Sequence, residues 1–286
     1  MSRPLRVTTR NAAFQQWQAL LTNRAKRQRT GEFLVQGVRP ISLAVEHGFA
    51  VHALLYSDRR PLSRWARETL ERTGATPVAM APELLDELGE KESSELVAVV
   101  ALPDDRLDRV PARPDLLAVV FDRPSTPGNI GTLVRSADAF GAAGVSVTGH
   151  AADPYDPRSV RASTGSVFAV PVLRADSHRE VVGWVDGLRA GGHPVRILGT
   201  DEHGPTGVAE ADLTGPCVLV IGNETNGLSA GWRESCDGML RIPIAGAASS
   251  LNAAAAGTVV LYEAARQRAV SPRSPGGGAA GATVPG

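Results

Sequence analysis

Apolar residues along the chain come in short unbroken runs, alternating with stretches where they recur every three or four positions. This is the rhythm of strands alternating with amphipathic helices. Phe14, Trp17 and Leu21 have helical spacing and predict a short helix whose apolar side docks on the body of the protein. Phe33-Leu34-Val35 predicts a buried strand ending at Gly37, followed by a helix through Ile41, Leu43, Ala44 and Val45. The pattern continues with a strand at Val51 to Tyr56, a helix at Pro61 to Arg72, a strand at Pro77 to Ala79, a helix at Pro82 to Leu88 and a strand at Leu96 to Ala101. Both of the latter helices open on proline, whose fixed φ and missing N–H suit a first turn. The alternation predicts a small α/β domain.

The stretch from Pro103 to Pro114 is charged, proline-rich and without an apolar period, as expected of an interdomain linker. Leu116 to Phe121 is an unbroken apolar run, suited to a strand covered on both faces. A turn from Asp122 to Gly128 leads to a helix from Asn129 to Phe140 and a strand from Gly144 to Thr148. Further strands are predicted at Val170 to Leu173, Val195 to Gly199, Cys217 to Ile221 and Met239 to Ile242, with a helix at His178 to Ala190. A last helix, Leu251 to Arg268, has Ser249 or Ser250 as its expected cap. The chain thus divides into an N-terminal arm (1–31), a small α/β domain (32–102), a linker (103–114), a larger α/β domain (115–270) and a Pro/Gly/Ala-rich tail (271–286) expected to be disordered.

Composition changes this picture in one place. At 286 residues, 43% hydrophobic and 21% charged, the chain is ordinary for a soluble protein with two cores. No run approaches the roughly 18 apolar residues of a membrane span. The start lacks the apolar segment of a signal peptide, so a cytoplasmic protein without membrane contact is expected. Cys217 and Cys236 form no CxxC pair or Cys/His cluster, which argues for structural thiols and no metal site. The net charge of zero, however, conceals an asymmetry: residues 1–31 hold seven basic and no acidic residues, leaving 23 basic and 30 acidic in the rest. An arm carrying Arg24, Lys26, Arg27 and Arg29 suits a phosphate backbone, although a solvated tail has the same composition.

Candidate chemistry gathers where three apolar strands run into loops. Asn129-Ile130-Gly131 opens a helix that carries Arg135, about one and two-thirds turns beyond Asn129. Gly222-Asn223-Glu224-Thr225-Asn226-Gly227 brackets a carboxylate and two amides between glycines that permit a sharp turn. Ile242-Pro243-Ile244 leads to Ser249-Ser250-Leu251-Asn252 at the mouth of the last helix. Each stretch alone reads as a turn or a packing helix. Together they mark the carboxyl edge of a parallel sheet, where ligands collect. No Gly-X-Gly-X-X-Gly follows a strand, which argues against a dinucleotide-dependent oxidoreductase or an ordinary Rossmann methyltransferase.

These three motifs, in this order and spacing, resemble the SpoU (TrmH) branch of the SPOUT RNA methyltransferases across residues 116 to 268. Arg161-Ala162-Ser163-Thr164-Gly165 is similar to the family's Lys-Ala-Ser-X-Gly segment, with Arg161 in place of lysine. Phe33 to Arg39 resembles its RNA-binding extension of ribosomal protein L30e type, with Gln36 where glutamate is usual. Thr126 stands where many members have aspartate. The resemblance implies an α/β fold in which a mostly parallel sheet, helices on both faces and a trefoil knot follow an L30e-like domain. Periodicity could not have suggested the knot, because knots are very rare.

The resemblance further implies transfer of a methyl group from S-adenosylmethionine to a ribose 2′-hydroxyl of ribosomal or transfer RNA, in a homodimer; the lack of a metal-ligand constellation implies that no metal takes part. On this reading Arg135, Asn129, Glu224, Ser250 and Asn252 form the catalytic site. Thr200, Gly222, Ile242, Ser250 and Leu251 hold the cofactor, and Arg24, Lys26, Arg27, Arg29 and Arg39 meet RNA. Glu224 is expected to pair with Arg135 or Asn129. A guanidinium is a poor base, so Arg135 is assigned the part of a cation that orients ribose or phosphate, its proton role open. A transfer-RNA ribose methyltransferase and a catalytically silent RNA-binding protein remain alternative readings. The separate first domain and basic arm favour ribosomal RNA, as a housekeeping target or as protection against a ribosome-targeting antibiotic.

Overall fold

A computed structural model describes residues 5–270. The expected disordered tail at 271–286 lies outside the described residues. The N-terminal domain contains β1 (Leu5–Val7), α1 (Ala12–Thr22), α2 (Arg24–Thr30), β2 (Glu32–Gln36), α3 (Val38–Glu46), β3 (Val51–Ser57), α4 (Arg64–Arg72), β4 (Thr76–Met80), α5 (Pro82–Gly89) and β5 (Leu96–Ala101). Its five-stranded sheet has the order β1-β4-β3-β5-β2. The arm is therefore no separate unit. β1 pairs in parallel with β4, and Phe14 and Leu20 of α1 are fully buried against Leu34, Leu55 and Leu85.

The second domain contains β6 (Leu117–Asp122), α6 (Pro127–Ala139), β7 (Gly144–Thr148), α7 (Pro157–Ser163), α8 (Ser166–Ala169), β8 (Val172–Ala175), α9 (His178–Ala190), β9 (Arg196–Thr200), β10 (Thr206–Gly207), β11 (Cys217–Ile221), α10 (Ala230–Ser235), β12 (Gly238–Arg241) and α11 (Ala253–Val270). Its seven strands, all parallel, run β10-β12-β9-β11-β6-β7-β8. The apolar runs follow from burial on both faces. Leu117, Val119 and Phe121 of β6 join Ile130, Leu133, Val260 and Leu261 on the α6/α11 face, while Ala118 and Val120 join Val181, Val185 and Trp232 on the α9/α10 face. β1, β10 and α10 carried too short an apolar signal to be read from the sequence.

β12 lies between β9 and β10, although it follows both in the chain. The link from β9 to β10 crosses the end of β12: the Asp201 N–H donates to the Leu240 carbonyl at 2.9 Å and Arg241 donates to the Gly204 carbonyl at 3.2 Å. The chain leaving β12 then returns to α11, which packs on α6 and β11. This crossing is consistent with the trefoil knot that the resemblance implies.

Pro103 to Pro114 joins the two sheets as expected, yet the domains share one apolar core. Phe33 packs on Tyr155 at 5.0 Å and on Phe168 at 6.2 Å between ring centres, and Phe49 meets Phe168 at 5.0 Å. Two departures from the family pattern meet across this seam, where Arg161 donates to Gln36 at 3.1 Å.

Candidate cofactor pocket and catalytic face

β6, β9, β11 and β12 end on one edge of the parallel sheet, so the loops that follow them converge. The loops after β9, β11 and β12 enclose a cavity of about 310 Å³. That is close to the lower end of the roughly 300–1,000 Å³ usual for small-molecule sites. Its floor is apolar, from Ile221, Leu240, Ile242 and Ala253. Thr200, Gly222, Ile242, Ser250 and Leu251, the five expected cofactor contacts, all line it. A Cβ on Gly222 would stand 2.6 Å from the Gly227 carbonyl carbon, so only glycine lets the two limbs of this loop close on each other. Leu251 remains 40% exposed at the opening. The donor set fits the proposed cofactor: apolar walls for an adenine and a methionine chain, with backbone groups and hydroxyls for its polar edges.

The loop after β11 is a tight hairpin. Asn223 and Gly227 exchange backbone hydrogen bonds at 3.0 and 3.1 Å, and the Asn223 Oδ1 accepts from the Thr225 and Asn226 N–H groups at 2.9 and 3.0 Å. This turn carries Glu224 toward α6. Its Oε1 accepts from Asn129 at 2.8 Å, and its Oε2 accepts from the backbone N–H and the hydroxyl of Ser125, both at 3.1 Å. Asn129 in turn accepts from Asn252 at 3.1 Å. Burial pushes the Glu224 carboxyl up, but the hydrogen bonds from Asn129 and Ser125 outweigh it and hold the group below the usual glutamate range.

Asn252 also corrects the expected cap of the last helix. Its Oδ1 accepts from the Ala254 and Ala255 N–H groups at 3.0 and 3.2 Å, leaving Ser249 and Ser250 in the loop before it. Ser250 makes no hydrogen bond across the site among the described residues. One side chain therefore caps α11 and fixes Asn129, which ties the start of α11 to the start of α6.

Arg135 stands apart from this chain of polar contacts. It is exposed on α6 and forms no ion pair or hydrogen bond among the described residues; Glu224 engages Asn129 instead. Gly131, one turn before it, marks a tight crossing, because a Cβ there would lie 2.1 Å from the Ser159 carbonyl of α7. Three polar residues that sequence reasoning did not single out also belong to this candidate site: Ser125, Asp201 and Arg233. The last two pair at 2.5 Å on the cavity rim. Burial raises the Asp201 carboxyl, but the His203 N–H and Arg233 bring it below its ordinary value. Asp201 lies two residues beyond a predicted strand, the one signal that was available. Among the described residues no group of three or more His, Cys, Asp and Glu could hold a metal ion, and no helix is long and apolar enough to cross a membrane.

The expected RNA contacts divide. Arg27 is corrected: it is 1% exposed, with Asp153 at 2.8 Å, Asp156 at 3.7 Å and the Leu20 carbonyl at 2.6 Å. Arg24 is also drawn into the domain seam, donating to the Ala151 carbonyl at 2.7 Å. Both sit on one side of α2, which is pressed against the second domain, so their charge is used within the fold. Arg29 and Arg39 are exposed and Lys26 is half-buried, with Arg39 donating to the Thr164 carbonyl at 3.2 Å.

Comparison with known proteins agrees with this geometry. The profile of the SpoU rRNA Methylase family matches residues 116–262, and that of the SpoU L30e-like domain matches residues 11–98. A 23S rRNA (uridine(2479)-2'-O)-methyltransferase of Streptomyces viridochromogenes is 61% identical over 265 residues, spanning 92% of each chain. Among solved structures, the SpoU methyltransferase AviRb from Streptomyces viridochromogenes in complex with AdoMet superposes with a TM-score of 0.89 at 60% identity, over 91% of this chain and 99% of that one. An AdoMet-bound rRNA methyltransferase from Sinorhizobium meliloti gives 0.81 at 28% identity, over 91% and 97%.

Proposed function

We propose that this chain, which belongs to the SpoU rRNA methylase family, transfers a methyl group from S-adenosylmethionine to a ribose 2′-hydroxyl of 23S ribosomal RNA. The observation that carries this reading is the contrast at one sheet edge. A cavity is walled by Gly222, Ile242 and Leu251, while Arg135 has no partner among the described residues on the helix that also holds Asn129. When bound, the cofactor supplies an activated methyl group on a sulfonium centre. Gly222, Ile242 and Leu251 would hold it through backbone groups and apolar contact, with the Thr200 and Ser250 hydroxyls at its polar edges.

Arg135 orients the ribose or its phosphate and stabilises the negative charge that develops on the 2′-oxygen. Asn129, held from both sides by Glu224 and Asn252, presents a fixed amide to the same region. Most of the acceleration comes from positioning, because the reaction needs only an in-line approach and a destination for one proton. Lys26, Arg29 and Arg39 add sequence-independent contacts to phosphates.

The enzyme acts in the cytoplasm as a homodimer. Val259 and Tyr262, 37% and 55% exposed on one side of α11, support a second copy packing there. Tyr262→Glu is expected to shift the sedimentation coefficient to that of a monomer. The central test is labelled methyl transfer to unmodified 23S ribosomal RNA and to transfer RNA, followed by mapping of the modified ribose. Label on a base, or on neither RNA, would overturn the proposal. Protection against a ribosome-targeting antibiotic forms the second half of the proposal, and it is tested by growth of a sensitive host expressing the wild-type chain or its Arg135→Ala variant. Equal sensitivity of the two would remove it.

A further inference from the structure

We infer that Arg123 is a positioning residue that clamps the cofactor loop, acting on the pocket from the neighbouring strand end. Resting on the methyltransferase reading for its consequence, the inference rests for its geometry on the turn after β6. Arg123 adopts a left-handed backbone conformation, with φ 52°, which residues other than glycine rarely occupy. Its N–H donates to the Thr148 carbonyl at 3.0 Å. The stem of the side chain passes over Gly149, and the guanidinium donates to the Gly227 carbonyl at 3.1 Å and to Asp122 at 3.2 Å. Its own carbonyl accepts from the Asn223 side chain at 2.7 Å.

The clamp is reciprocal. Asn223 and Gly227 are the two ends of the hairpin that carries Glu224, and Arg123 holds one with its carbonyl and the other with its side chain. Asp122, 2% exposed, extends the grip by accepting from the Ser229 N–H at 2.8 Å and the Thr148 hydroxyl at 3.3 Å. Trp232 donates to that same hydroxyl at 3.2 Å, which fastens the start of α10 to the end of β7. Residues 222–227 all line the cavity, and Arg123 is not among its lining residues. Arg123 therefore shapes the pocket through the loop. The uncommon backbone conformation accompanies this role: the Arg123 carbonyl and side chain both reach the same hairpin.

Glycine at this position separates backbone from side chain. Arg123→Gly keeps the φ that the turn needs and removes the guanidinium. The expected result is faster amide hydrogen exchange confined to residues 223–229, an unchanged or raised melting temperature, and about tenfold weaker S-adenosylmethionine binding by calorimetry. The KM for S-adenosylmethionine rises with it, while the KM for RNA holds. Arg123→Lys, which keeps a charge without the planar fork, is expected to restore part of the affinity. Unchanged exchange in 223–229 overturns the inference. So does faster exchange across the whole domain with a lowered melting temperature, the signature of a merely structural residue. Should the wild-type chain bind no S-adenosylmethionine, the functional reading fails, and hydrogen exchange still decides whether Arg123 clamps the loop.

Discussion

Arg27 and Arg135 are two helical arginines with opposite surroundings. Arg27 enters the seam between the domains, where two aspartates and a backbone carbonyl engage its guanidinium. Arg135 projects from α6 with no partner among the described residues. The Glu224 carboxylate at the neighbouring loop is turned to Ser125 and Asn129. A buried, paired charge serves the architecture, because leaving it unpaired would be very costly. An exposed, unpaired charge keeps its donors for a ligand.

The sharpest way to break this comparison is to remove Arg27. Arg27→Ala leaves Asp153 buried without its cation and is expected to cost about 3–5 kcal/mol in urea unfolding. A loss comparable to that of an exposed arginine would mean that the seam does not depend on it. Arg135→Ala should do the reverse, lowering methyl transfer by roughly 10²- to 10³-fold with an unchanged urea midpoint and S-adenosylmethionine affinity. Transfer at the wild-type rate would remove Arg135 from the catalytic face.

Acid sharpens the contrast further. Glu224 has a depressed pKa in the folded protein, so its hydrogen bonds contribute stability above the ordinary glutamate pKa. That contribution is lost as pH falls through the lower folded value. The stability difference between wild type and Glu224→Gln should be constant from neutral pH to about 5 and shrink below about 4. A difference that changes between pH 6 and 8 would point to another group. The smallest effect belongs to Lys26 and Arg29: replacing both with alanine should reduce the salt dependence of RNA binding by roughly 0.7–0.9 per phosphate contact, with the melting temperature held. An unaltered slope would mean that this side of α2 does not meet RNA.

The sequence carried the strands of the second domain well, because β6 and β11 are apolar at every position facing either helical layer. It also carried the pocket, since the glycines and amides of the 222–227 loop and the mouth of α11 have few other reasons to follow strands. What it could not carry was pairing. Arg27 and Arg29 are indistinguishable in composition, and only the approach of Asp153, 126 residues away, separates them. The pairing of the arm was hidden for the same reason, because β1 is too short to signal a partner in β4. Arg123 left no sequence signal: its role depends on a left-handed turn that glycine usually marks.

The threaded end of the chain bears on how the protein is made. β12 inserts between two strands that precede it, and the pocket is walled by segments on both sides of that crossing, from Thr200 to Leu251. The cavity therefore cannot exist until the carboxyl-terminal segment has passed into place, however well the two apolar cores have already collapsed. The pocket is then a product of the last crossing of folding, and during synthesis the ribosome must release the chain through Leu251 and the start of α11 before it can form.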